Sequence, residues 1–158
     1  MKVNDLVIFV GMSEYSAKHW ASLGKNLGNF GVVKETEQDE IQGTVSRVLF
    51  DRYIGQSEEI DNFWWVEDTE IQSYKLEVGK PALMRLNIDD PSEAPELVMV
   101  HGRTEYGEDE SFVTDYDIET QRGQKFYHIP GMFLRPTFLE GVKIGKETEP
   151  ERTSEVAG

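Results

Sequence analysis

The sequence predicts an all-β fold arranged as two small β-barrels in tandem. Three observations carry this expectation: short apolar runs bounded by turn residues, little helical periodicity, and a faint internal echo. Val3-Asn4-Asp5-Leu6-Val7-Ile8-Phe9 has the layout of Val78-Gly79-Lys80-Pro81-Ala82-Leu83-Met84. Phe63-Trp64-Trp65-Val66 followed by Ile71 has the layout of Phe126-Tyr127-His128-Ile129 followed by Leu134. The spacing from Trp65 to Ile71, and from His128 to Leu134, is 6 residues in both cases.

The elements follow in order. Val3 to Val10 reads as a strand entered through the turn Asn4-Asp5. Ser13 can cap a short helix that places Trp20, Leu23 and Leu27 on one face, and Gly28-Asn29-Phe30-Gly31 ends it. Phe30–Val33 and Ile41–Phe50 read as strands separated by the polar stretch Glu35–Glu40. Phe63–Glu67 is an aromatic strand, and Ile71–Leu76 closes the first unit. In the second unit, strands are expected over Ala82–Ile88, Leu97–Thr104, Phe112–Ile118 and Lys125–Ile129. A surface loop at 89–95 and an acidic hairpin turn at 105–110 separate the earlier ones. The expected boundaries are residues 1–76 for the first unit, with an insertion near 12–27, residues 77–142 for the second, and a disordered acidic tail over 143–158.

Taken together, the segments resemble the SH3-like barrels, including the KOW type. The resemblance rests on the entry strands at Val3 and Val78 and on Gly28–Val33, Gly43-Thr44-Val45 and Gly102-Arg103-Thr104. The aromatic strands with their closures at Ile71 and Leu134 complete it. It implies two barrels of about five strands each, each marginal alone at this size and stabilised by packing on the other. Nucleic-acid-binding members of that family use basic loops, whereas the loops here are acidic.

Charge is the second strong signal. There are 30 acidic and 16 basic residues, a net charge of -14. Residues 1–75 carry 13 acidic against 7 basic side chains, and residues 76–142 carry 13 against 6, so the field belongs to both units. Such a field repels nucleic acid and attracts a basic protein. The chain has no Cys, which excludes disulfides, thiolate nucleophiles and Cys-based zinc sites. His19, His101 and His128 do not fall at metal-ligand spacing, and Gly28-x-x-Gly31 lacks the Lys-Ser/Thr of a phosphate loop. No cofactor and no enzymatic activity are expected. The apolar run ending near Val10 is too short for a signal peptide, and no window is long enough to span a membrane, so the expected location is cytoplasmic.

Two groups of residues are the candidate partner-binding surface. The aromatic group is Tyr15, Trp20, Tyr53 and Trp64. Strand alternation sends Phe63 and Trp65 to one side and Trp64 to the other; one side belongs to the core, and the other exposes its aromatic side chain or buries it against the second unit. The acidic group is Asp89, Asp90, Glu93, Glu96, Glu108, Asp109, Glu110, Asp115 and Asp117. Asp115, Asp117 and Glu119 alternate with apolar residues and should line one strand face. The expectation is a non-enzymatic module that binds a basic partner, in its sharper form a nucleic-acid mimic that inhibits a nucleic-acid-binding enzyme. In character the chain is similar to small, acidic, Cys-free inhibitors, many made by viruses of bacteria. The alternatives are a structural component of a larger assembly and a metal-dependent hydrolase. Deleting residues 146–158 should leave the melting temperature almost unchanged in a thermal scan; a fall of several degrees would count against a disordered tail.

Overall fold

The computed structural model describes residues 1–51, 62–86, 94–105, 113–137, 139 and 142–144. The expected tail from 145 onward, and Tyr53, Asp89, Asp90, Glu93, Glu108, Asp109 and Glu110, lie outside the described residues. The described chain is all-β apart from short helical turns. It forms two antiparallel sheets of five strands each. The first contains β1 (Leu6–Phe9), β2 (Phe30–Asp39), β3 (Gly43–Phe50), β4 (Phe63–Glu67) and β5 (Ile71–Ser73). The second contains β6 (Pro81–Met84), β7 (Glu96–Thr104), β8 (Asp115–Thr120), β9 (Lys125–Pro130) and β10 (Leu134–Pro136).

The strand orders are β4-β3-β2-β1-β5 and β10-β6-β7-β8-β9, the same order read in opposite directions. The echo in the sequence is therefore an echo in backbone pairing. Asn4 N–H donates to Val33 O (2.7 Å) and Val33 N–H to Asp5 O (3.1 Å); Gly79 N–H donates to Val100 O (2.8 Å) and Val100 N–H to Lys80 O (3.0 Å). Both entry turns need a left-handed residue. Asn4 adopts φ 75° and Gly79 φ 90°, the conformation that Asn and Gly adopt at least cost. A bulge follows Val33 in one sheet and Val100 in the other. Phe9 pairs with Ile71, and Met84 with Leu134, each after a 3₁₀ turn at Asp68–Glu70 or Gly131–Phe133.

Among the described residues neither sheet closes into a barrel. The first ends on β4 and β5 and the second on β9 and β10, and no ladder joins either pair of edges. β5 and β10 span only three residues each, which limits how far they extend the sheet. The strand boundaries also depart from expectation. The polar stretch Glu35–Glu40 does not separate two strands, because β2 continues through it to Asp39, exposed on both sides and paired with β3. β8 starts at Asp115 rather than Phe112, which lies outside the described residues. β6 ends at Met84.

The insertion between β1 and β2 holds helix α1 (Glu14–His19) and a 3₁₀ segment, Ala21–Asn26. Ser13 caps α1: its Oγ accepts from Ser16 N–H (3.1 Å) and donates to Glu67 Oε2 (2.7 Å), while its N–H donates to Glu70 Oε2 (2.9 Å). The cap thus ties the insertion to the end of β4. The expected helical face breaks at Trp20, whose φ of -134° ends α1. Leu23 is buried, but Trp20 and Leu27 are exposed.

Two cores result. The first gathers Val7, Phe9, Leu23, Val33, Val48, Phe50, Val66 and Ile71. The second gathers Ala82, Met84, Val98, Val100, Tyr116, Ile118 and Leu134, and also takes Leu6 from β1 and Leu76 from the connection. Strand β1 serves both, because alternate side chains point to opposite faces. Phe30 and Tyr74, edge to face at 5.1 Å, flank this joint. Leu76 N–H donates to the Tyr116 hydroxyl (2.8 Å), and Arg103 Nη1 donates to Leu76 O (3.1 Å). Arg135 grips Asp51 with two bonds of 2.7 and 2.9 Å. No helix among the described residues is long and apolar enough to cross a membrane.

Burial pushes the Tyr116 hydroxyl pKa up from 10.0 to about 12, against the opposing effect of the Leu76 hydrogen bond. Below pH 10 both folded and unfolded chains keep this proton. Between 10 and 12 only the unfolded chain releases it, so stability falls with rising pH across that window. Tyr116→Phe should cost about 1–3 kcal/mol at neutral pH by stranding the buried Leu76 N–H. It should also flatten the loss above pH 10, as read by urea unfolding at stepped pH.

Candidate functional site

The second sheet has a clear inside and outside. On β7, Val98 and Val100 are buried, so Leu97, Met99 and His101 face outward. On β6, Ala82 and Met84 are buried, so Pro81 and Leu83 face outward. Pro81 pairs with Met99 and Leu83 with Leu97, which joins four apolar side chains across two strands. Leu97 is 39% exposed and Met99 38%. On β8, Tyr116, Ile118 and Thr120 are buried, so Asp115, Asp117 and Glu119 form an outward column, as their alternation predicts.

Register sets the apolar and acidic groups side by side. Met99 is directly opposite Glu119, and Gly102, after the bulge, is opposite Asp117. A Cβ on Gly102 would lie 3.1 Å from Asp117 Oδ2, so glycine leaves room for this carboxylate to lean over the neighbouring strand. Asp117 Oδ1 accepts from His128 N–H (3.1 Å), where His128 adopts φ 59°. Glu119 Oε1 lies 2.8 Å from His101 Nε2. Tyr127 on the edge strand β9 is 63% exposed. Asp117 is thus fixed by a backbone N–H and Glu119 by the outward His101 ring, and both carboxylates stay partly accessible.

The remaining expected residues are dispersed. The Tyr15 ring lies 4.3 Å from that of His19 along α1, tilted by 37°, and Trp20 ends that helix, 50% exposed. Glu96 opens β7 on the side of Val98, away from the acidic column. The structure orients the aromatic strand: Trp65, and not the candidate Trp64, is on its exposed side. Trp64 pairs with buried Val48 and packs on the first core. Its Nε1 donates to Asn62 Oδ1 (2.9 Å), and Asn62 Nδ2 donates to buried Asn26 Oδ1 (2.9 Å). Trp65 pairs with Arg47 and is 39% exposed. Arg47 stacks on Phe63 at 3.9 Å and bonds Glu35 at 3.2 Å on this same outer face.

Sequence reasoning missed Leu97, Met99 and the hairpin tip. Leu97–Val100 is one apolar run and reads as buried on both faces. At the tip of β2–β3, Asp39 Oδ2 accepts from Ile41 N–H (3.0 Å) and Gln42 N–H (2.8 Å), which holds Ile41 out, 73% exposed. The signal for this turn was the sequence Asp39-Glu40-Ile41-Gln42-Gly43 itself, an Asp followed by a turn-closing Gly.

Two clefts at the joint are narrow. One, lined by Leu76, Lys80, Pro81 and Pro136, holds about 20 Å³, and one beside Tyr116 and Gly131 about 10 Å³, room for one water each. Among the described residues, no three His, Asp or Glu side chains converge as a metal site would require. No protein-family model matches the chain, and no curated protein matches it.

Trp64→Ala should destabilise the fold by about 3 kcal/mol through the cavity it leaves. Trp65→Ala should cost about 1 kcal/mol or less. Urea unfolding of the two variants distinguishes them, and equal losses would contradict the assigned faces.

Proposed function

We propose that the protein is a non-enzymatic, cytoplasmic binding module that engages a basic partner protein through the outer face of its second sheet. One observation carries the reading: the column Asp115, Asp117 and Glu119 stands beside exposed Leu97 and Met99 on one side of the sheet. Interfaces with this make-up derive affinity from apolar burial, and register and encounter rate from charge. The net charge of -14 extends the attraction beyond contact distance. In its sharper form the module is a nucleic-acid mimic that inhibits a nucleic-acid-binding enzyme, with outward carboxylates standing for phosphates. We read each unit as SH3-like, supported by the strand order common to the two sheets.

The test is affinity capture from host lysate on the immobilised protein, beside its Asp117→Lys/Glu119→Lys variant. Basic proteins should be retained at low salt and released by ~0.5 M salt, where the screening length is a few ångströms. The variant should retain them poorly. For the mimic form, added DNA should displace them. Capture that neither salt nor the double reversal weakens would overturn the reading.

A further inference from the structure

We propose that this outer face docks a particular kind of segment: one with apolar side chains at one end and lysines or arginines at the other. The inference rests on the binding reading above and specifies the partner's chemistry. The apolar group (Pro81, Leu83, Leu97, Met99) and the acidic group (Asp117, Glu119) do not overlap; they lie on neighbouring strands, meet across the Met99–Glu119 pair and are offset along the strand direction from there. At about 3.3 Å per residue, Leu97 to His101 spans about 13 Å, as does Glu119 to Asp115. Two turns of helix cover about 11 Å, so one short amphipathic helix could lie across both groups.

Charge complementarity identifies the occupant. An acidic segment would meet Asp117 and Glu119, and a wholly apolar one would strand those carboxylates away from water. A purely basic segment would leave Leu97 and Met99 exposed. Lys125 on β9 stands opposite Glu119 and leaves Asp117 without a cross-strand cation, while Arg135 on β10 is committed to Asp51, Met132 O and Leu134 O. The Asp117 carboxylate is positioned in advance by the His128 N–H and the gap at Gly102, which lowers the cost of ordering it on binding.

The experiment uses two fluorescent peptides of equal charge, a helix-forming leucine/lysine peptide and an oligolysine. Each is titrated with the full chain at low salt and followed by anisotropy. The leucine/lysine peptide should bind at least tenfold more tightly. Leu97→Ser/Met99→Ser should abolish that advantage and leave oligolysine binding unchanged, while Ile41→Ser, at an exposed apolar position on the first sheet, should change neither. Equal affinities in the wild type, an advantage that survives the double serine variant, or an equal effect of Ile41→Ser would each overturn the docking proposal. Oligolysine that binds and is lost in Asp117→Lys/Glu119→Lys would leave the basic-partner reading standing even then. Failure of both peptides to bind would overturn both.

Discussion

The arrangement of the molecule depends on Leu76. Its side chain lies in the core of the second sheet, its N–H is held by the Tyr116 hydroxyl and its carbonyl by Arg103. A connecting residue with all three groups engaged cannot act as a swivel. Burying a backbone N–H and C=O is costly unless both find partners, and here the second sheet supplies both. The bidentate Arg135–Asp51 pair adds a second attachment some distance along the same joint. Because that pair is partly exposed, salt weakens it more than it weakens the Leu76 contacts.

This joint decides which surfaces remain available. β1 gives Val7 and Phe9 to one core and Leu6 to the other, so its two faces are both consumed. The inner face of the second sheet is closed by the same packing. Left to solvent are, among others, the outside of β6, β7 and β8 and, on the first sheet, the outside of β3 and β4. The two outer faces differ in kind. On the first, Arg47 lies between Phe63 and Glu35 and satisfies both. On the second, the carboxylates outnumber the cations beside them, and the apolar pairs have no cover from described residues.

Much of this was legible where the sequence alternates or punctuates. The column Asp115, Asp117, Glu119 could be read because Tyr116, Ile118 and Thr120 interleave with it, and the two entry strands because Asn4 and Gly79 mark equivalent turns. The aromatic strand could not be oriented, since Phe63, Trp64 and Trp65 offer alternation no contrast; only pairing with Val48 and Arg47 separates them. The distal half of β2 carries no apolar period because both its sides face water, and its ladder to β3 alone makes it a strand. Leu97 and Met99 were hidden by the valines between them. The role of Leu76 is a matter of contacts 27 and 40 residues away, which no local pattern encodes.

The double use of β1 also sets an order of events during synthesis. β1 is made before the other described strands, yet its Leu6 side chain finds its core only after β6, β8 and β10 have been made. Until then the nascent first sheet carries an apolar side chain and the Phe30–Tyr74 pair on a surface awaiting cover. Loop-closure entropy makes such distant contacts slow to form. The first sheet can assemble its hairpins early, but the cover of its joint is complete only once β10 is made, so a chain interrupted before β10 would present that joint to solvent as a place for misassociation.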